Sequence, residues 1–430
     1  MIERAISNDF VRRNLKQREL MDNFDLWKMK LVFVANRIPY PPFRGDKLKI
    51  FNLAKCLSPD HELHLITFYE TALELTYEKE LKNIFTSVTL IPLTKWRCLL
   101  NTVLSFFIPG TPFQVGYFRS HLFRKILHQK LTQINPHGIH VQHLRMAQQI
   151  PSEYRPLALL DLPDAISLYY QRRANHVTSP LLKLAFSFET KRLTKYEHRI
   201  LPQFPKVLCC SAEDGKHLQE LHPTIKVGIL ENGVDVQTYA PRSTENDGPI
   251  KLLFTGNMTY APNVDAVQYF ADEIFPSIQA KFPEVVFEIA GQKPVPQVLA
   301  LANRHGISVT GFIPNLADAY ASATMVVAPL RFGAGTQNKV LEALSMNIPV
   351  ICTPIGFHGI GLTHGEGIWC EHDTSNFIFR IHQILSETQK HKDLATEAGE
   401  KIRTRFNWNT IAKQLEYYCL ELKQSHNESK

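Results

Sequence analysis

No aspartate or glutamate lies between Glu80 and Glu153 of this 430-residue chain, whereas Lys82, Lys95, Arg97, Arg119, Arg124, Lys125, Lys130 and Arg145 do. A field of one sign attracts polyanions, which means an anionic membrane or nucleic acid. Cysteine is also scarce. Seven are present, two of them adjacent (Cys209 and Cys210), and none has CxxC spacing, which argues against a disulfide framework or a zinc site. A reducing, cytoplasmic setting is expected, at the inner face of the plasma membrane if the basic half meets lipid. Long apolar runs are missing. The longest, Cys98 to Ile108, has eleven mostly apolar residues, short of the ~20 that span a bilayer. The first thirty residues are mixed and charged, without the pattern of a secretory signal. They are expected to be an amphipathic helix or an artefact of start-site choice, since Met29 immediately precedes the first strand. Neither internal repeats nor low-complexity tracts occur.

The length suits two domains with ordinary cores. The net charge of +7 is shared unevenly: residues 1–245 hold 33 Lys and Arg against 23 Asp and Glu, and the rest hold 15 against 18. Short β-branched apolar runs alternate with helical stretches throughout. In the first half they are residues 30–36, 61–68, 138–143, 157–161, 206–211 and 227–230. In the second they are 251–256, 285–290, 307–310, 325–329, 349–352 and 367–370. Such runs, apolar on both faces, predict buried parallel strands in an α/β fold with doubly wound sheets. The opening βαβ unit lacks GxGxxG, so a dinucleotide fingerprint is not supported. Residues 98–108 read either as a buried core helix or as an interfacial segment, and the missing acids favour membrane contact. Residues 172–199 read as a long basic helix with a solvated face. The aromatics of 82–145 fall in apolar runs expected to be buried, so nucleic acid is not expected as a partner.

The stretch from Ala328 to Cys352 reads strand, glycine loop, helix, strand. Gly333 and Gly335 let the backbone turn tightly near a ligand. A helix is expected from about Thr336, with Thr336 as its cap and Val340, Leu341 and Leu344 on its apolar side. Free amides and the dipole at a helix start make an anion site, and Glu342 one turn further on can accept hydrogen bonds from sugar hydroxyls. The chemistry is that of a pocket for a phosphate joined to a sugar.

This stretch resembles the donor-site signature of glycosyltransferase family 4, a retaining GT-B family. The usual pattern has two Glu separated by seven residues. Glu342 matches the second, and Ala334 stands where the first would be. The Gly-Ala-Gly-Thr ahead of Lys-Val-Leu-Glu-Ala is similar to a variant branch, and the opening Pro-Pro-x-x-Gly-Asp-Lys resembles transferases of bacterial exopolysaccharide loci. Asn232-Gly-Val-Asp235 matches a family hallmark before the crossing to the second domain. Phe406-Asn-Trp-Asn-Thr-Ile-Ala412 resembles the helix that crosses back.

The resemblance implies two Rossmann-like domains facing a cleft. The expected division is an extension (1–29), an acceptor-side domain (30–240), a linker (241–249), a donor domain (250–405), a returning helix (406–422) and a disordered tail (423–430). It further implies transfer of a sugar from a nucleotide diphosphate sugar to a glycan or lipid-linked acceptor. His143, at the end of its strand, is the catalytic candidate. Gly45, Gly256, Arg331, Gly335, Thr336, Gln337, Lys339 and Glu342 are the donor-binding candidates, with Lys293 as a further cation. No cofactor is expected, and without a DxD motif no metal. Two other readings stay open: a nucleotide-sugar epimerase of the same fold, and a non-catalytic scaffold that binds polyanions or membrane.

Overall fold

The apolar runs of the sequence become two parallel sheets in the computed structural model, which describes residues 28–242 and 248–428. Nearly all of the expected extension, and residues 243–247 of the expected linker, lie outside the described residues. The first sheet comprises β1 (Lys30–Ala35), β2 (Glu62–Tyr69), β3 (Ser87–Pro92), β4 (Gly138–Gln142), β5 (Ala158–Leu162), β6 (Lys206–Cys209) and β7 (Val227–Ile229). Their order is β3-β2-β1-β4-β5-β6-β7. The second comprises β8 (Lys251–Thr255), β9 (Val286–Ala290), β10 (Ile307–Gly311), β11 (Met325–Ala328), β12 (Val350–Cys352) and β13 (Ile368–Cys370), ordered β10-β9-β8-β11-β12-β13. Every pairing within the two sheets is parallel.

The central strands are buried on both faces, as β1, β4 and β5 show. That is why their sequences are continuous apolar runs. The edge strand β3 is half-buried over most of its length, and its mixed Ser-Val-Thr-Leu-Ile-Pro sequence gave no comparable signal. In each sheet the strand order reverses once, between β1 and β4 and between β8 and β11. A crevice opens there, beyond the carboxyl ends of the strands.

The helices used below are α1 (Gly45–Leu57), α2 (Lys95–Phe106), α3 (Phe113–Tyr117), α4 (Ile166–His176), α5 (Pro180–Ile200), α6 (Ala212–Leu221), α7 (Ala261–Tyr269), α8 (Asn338–Ser345) and α9 (Trp408–Glu428). The last of these belongs to the first domain's core. Leu415 and Tyr418 pack with Leu53 and Leu57 of α1 and with Phe33 and Leu65 of the sheet. α9 continues through residues 423–428. The tail expected to be disordered is therefore largely helical, because its residues extend an amphipathic helix already anchored on α1. The backbone N–H of Val234 donates to the Phe406 carbonyl at 2.7 Å, tying the Asn232–Asp235 turn to the start of α9. Among the described residues, no helix is long and apolar enough to cross a membrane.

Candidate active site

The loops after β1 and β5 in the first domain meet the segment after β11 in the second. The β1 loop ends at Gly45, the first residue of α1. A side chain on Gly45 would come within 3.8 Å of the Asn338 amide nitrogen at the start of α8. Asp46 follows in the first helical turn, where the dipole favours a carboxylate. Its Oδ2 lies 3.8 Å from His143 Nε2 and 3.9 Å from Arg37 Nη1, and its Oδ1 lies 3.6 Å from Arg44 Nε. Burial pushes the Asp46 carboxyl up, but His143, Arg44 and Arg37 together outweigh it and hold the group well below the usual carboxylate range.

His143 follows β4 with a left-handed backbone, φ 74° and ψ 142°. Strain of this kind in a residue with a side chain persists only where the surroundings impose it. Here the His143 N–H donates to the Asp161 carbonyl at 2.8 Å. Burial and the Arg145 charge push the imidazole down to about 4, against the opposing pull of Asp46, so the ring is neutral at pH 7. Its Nε2 has no hydrogen-bond partner, nor does the Nε of Arg145 two residues on. Burial, with Arg37 nearby, brings the Arg145 guanidinium down to about 10. Two orphaned buried polar atoms on one loop need an explanation, because such atoms are normally satisfied. Beneath them a closed cluster holds the strands. Lys49 Nζ donates to Asp161 Oδ1 and to the Leu230 carbonyl, both at 2.8 Å, and His140 Nε2 lies 2.9 Å from Asp161 Oδ2. Asp161 is thus committed to the scaffold.

The Gly333–Thr336 loop of the second domain lies against the first. Gly335 (φ 74°) has its N–H 3.1 Å from Asp214 Oδ2, and a Cβ there would lie 2.3 Å from Asp164 Oδ1. Arg172 Nη1 donates to the Gly333 carbonyl at 2.8 Å. Thr336 Oγ1 donates to the Cys210 carbonyl at 3.2 Å and its N–H meets Cys210 Sγ at 3.4 Å. This corrects the expectation that Thr336 caps the helix. The cap position falls to Gln337, whose side chain makes no capping bond, because Thr336 is drawn across to the first domain. Asn338 Oδ1 instead accepts from Asn232 Nδ2 at 3.1 Å.

The other candidates divide into two groups. Lys339 is buried. Its Nζ donates to Asn263 Oδ1 at 2.7 Å and sits 4.3 Å from the centre of the Phe254 ring. Burial, only partly offset by Glu342, pushes it down to about 7. Glu342 receives the Tyr320 hydroxyl at 2.8 Å, and that hydroxyl also lies 2.7 Å from Thr255 Oγ1. Burial raises the Glu342 carboxyl, with Tyr320 and Lys339 opposing. Gly256 belongs with them: a side chain on it would strike Asn263, and its carbonyl passes so close to Gly291 that a Cβ there would lie 1.7 Å from it. Arg331 stands apart. It holds Asp265 through Nε at 2.9 Å and Nη2 at 2.6 Å and lies over Tyr269 at 4.6 Å, so its charge is already matched. Lys293 is exposed and takes φ 56°.

Sequence reasoning passed over Arg145, Asp214 and Arg172 as site residues. Arg145 carried a signal, being two residues after a strand-end His. Asp214 and Arg172 carried none, since each acquires its place only by touching residues more than a hundred positions away. Asp164 is pushed up to about 7 by burial, by Asp214 and by Asp46.

Two Rossmann-like parallel-sheet domains whose strand ends face a shared cleft constitute the GT-B fold of glycosyltransferases. Residues 249–387 match the family described as Glycosyl transferases group 1, and the second domain is a domain of that group. A sucrose-phosphate synthase from Thermosynechococcus elongatus superposes with a TM-score of 0.69 at 15% identity, over 93% of this chain and 100% of its own. HepE from Anabaena, solved in complex with UDP-glucose, gives 0.63 at 13%, over 91% and 100%. In sequence, the chain is 21% identical over 398 residues to an uncharacterized 44.6 kDa protein in the cps region of Klebsiella pneumoniae, which covers 88% of this chain and 96% of that one.

Proposed function

We propose that this protein is a retaining glycosyltransferase that moves a sugar from a nucleotide diphosphate sugar to a hydroxyl of a glycan or lipid-linked acceptor in bacterial surface polysaccharide assembly. The observation that carries the reading is that Gly45, next to Asp46 at the start of α1, faces the uncapped start of α8, with Asp46 in turn beside His143 on the loop that also bears Arg145. An unfilled helix start receives the diphosphate. Glu342, fixed by Tyr320, receives hydroxyls of the donor's sugar portion. The bond from the anomeric carbon to the diphosphate breaks, the acceptor oxygen takes its place, and one proton is released per sugar moved. The neutral His143 contacts the transferred sugar beside the Asp46 carboxylate. Arg145 supplies charge to the departing diphosphate. No step is assigned to a metal.

Thermal melting against a panel of nucleotides and nucleotide sugars tests the donor site, because a ligand of the folded state raises the midpoint. A rise with one nucleoside diphosphate and its sugar is expected. A flat panel from well-folded protein would leave the scaffold reading. Turnover that proceeds without any acceptor would favour the epimerase.

A further inference from the structure

Helix α2 is turned the wrong way round for a surface helix. It buries Cys98 and Ser105, and Ser105 packs so tightly on α3 that a Cβ on Gly116 would lie 2.6 Å from it. The large apolar side chains face outward instead, with Trp96 62%, Leu99 66% and Val103 54% exposed, and Phe107 just beyond the helix 73% exposed. The first half of α5 does the same, with Leu181 75% and Leu184 68% exposed. This corrects its reading as a solvated basic face. The two helices form one rigid unit. The buried Arg192 on α5 donates through Nε to the Thr111 carbonyl at 2.9 Å, and through its guanidinium to the Ser105 and Phe106 carbonyls that end α2. Phe106 stands 6.1 Å from Phe188.

The exposed charged residues of these two helices have one sign. The charged residues of α2 are Lys95 and Arg97, both exposed. On α5 the exposed ones are Lys183, Lys191, Lys195 and Arg199, while its two carboxylates, Glu189 and Glu197, are buried. We propose that α2 and the first half of α5 form a preformed docking surface for an anionic lipid bilayer. The apolar side chains enter the headgroup–acyl boundary and the basic rim meets the headgroups. A second copy of the chain is a poorer occupant, because a two-fold contact would set this basic rim against itself. The surface adjoins the cleft. Phe186 of α5 packs on Tyr170 of α4 at 6.0 Å, and α4 carries the Arg172 that holds Gly333. A lipid-borne acceptor therefore reaches the site without leaving the membrane, an idea that rests on the proposed function for the acceptor's identity but not for the surface.

Co-flotation of the full chain with vesicles tests the surface with no sugar present. The protein should float with phosphatidylcholine vesicles containing phosphatidylglycerol, not with phosphatidylcholine alone, and high salt should release it. The double variant Leu99→Glu/Leu184→Glu should bind at least tenfold more weakly while keeping its melting point and its nucleotide-sugar shift, since both side chains are exposed. Undiminished vesicle binding by that variant would overturn the proposal, as would failure of the parent to bind anionic vesicles. A parent dimer that the variant breaks, with no vesicle binding, would assign the face to a second copy. Failure of the nucleotide-sugar shift alone would sink the transferase reading and leave the docking surface standing.

Discussion

Asp214 Oδ2, in the first domain, accepts the backbone N–H of Gly335, in the second, at 3.1 Å. With Arg172 on the Gly333 carbonyl and Thr336 on the Cys210 carbonyl, it clasps the glycine loop of the second domain to the first. Gly335→Ala should break this clasp. The new methyl would meet Asp164 Oδ1 at 2.3 Å and the Pro163 carbonyl at 2.9 Å on a backbone at φ 74°. A loss of at least about 1 kcal/mol is expected, with a larger radius of gyration in small-angle scattering and lower transfer activity. An unchanged radius and Tm would show the loop to be unimportant for domain placement.

His143→Gly separates chemistry from folding. Glycine relieves the left-handed strain, worth about 1–3 kcal/mol, which offsets part of the packing lost with the ring. Turnover should fall roughly 100-fold or more, the lower range for a residue acting at the reacting centre, while Tm moves by a few degrees at most. Turnover equal to the parent's would remove His143 from the site.

Arg145 and Arg331 are expected to behave differently although both are arginines near the cleft. Arg145→Gln should weaken nucleotide diphosphate binding about tenfold or more, the effect of a lost charge-assisted hydrogen bond. Arg331→Gln should change it less than about twofold, because Asp265 already neutralises that guanidinium and exposed pairs contribute little. Titration calorimetry decides, and the reverse ranking would return Arg331 to the donor site.

Glu342→Gln should lower donor affinity by about 10- to 100-fold, the scale of a hydrogen bond to a charged group. Tyr320→Phe should reproduce a smaller part of that loss, since it removes only the hydroxyl that positions the carboxylate. Equal donor affinity in both variants and the parent would move the sugar contacts elsewhere.

Asp164 links stability to pH. Its carboxyl is raised from an ordinary 3.8 to about 7, so between those values the folded state binds more protons than the unfolded one. Its contribution is fully present below about 4 and is lost as pH rises to about 7. Asp164→Asn, a neutral isostere, should therefore gain stability relative to the parent across that window and keep the gain above it. Denaturant melts at a series of pH values check this, and a constant difference would mean that Asp164 ionises normally.

The α/β class and the parallel strands were legible because a strand buried on both faces must be continuously apolar, as in β1 and β4. Only β3 escaped, since an edge strand needs just one apolar face. The turn at Gly335 and the helix that carries Lys339 and Glu342 were legible because a glycine turn and a helix phase are local. Their partners were not. Asp164 against Gly335, Asp265 on Arg331 and Tyr320 under Glu342 are meetings that neither propensity nor period encodes.

By itself the sequence determined the alternation of strand and helix, the two-domain division, the glycine loop before α8 and the excess of basic charge in the first half, all of which follow from short-range patterning and composition. Tertiary structure alone decided which charges stay free and which surfaces stay bare. Arg331 is neutralised and Arg145 is not, Thr336 leaves its helix to join the first domain, and α2 turns its leucines outward because Ser105 and Gly116 leave room for no larger side chain between α2 and α3. Burial belongs to a residue's neighbours rather than to the residue, and neighbours exist only once the chain has folded.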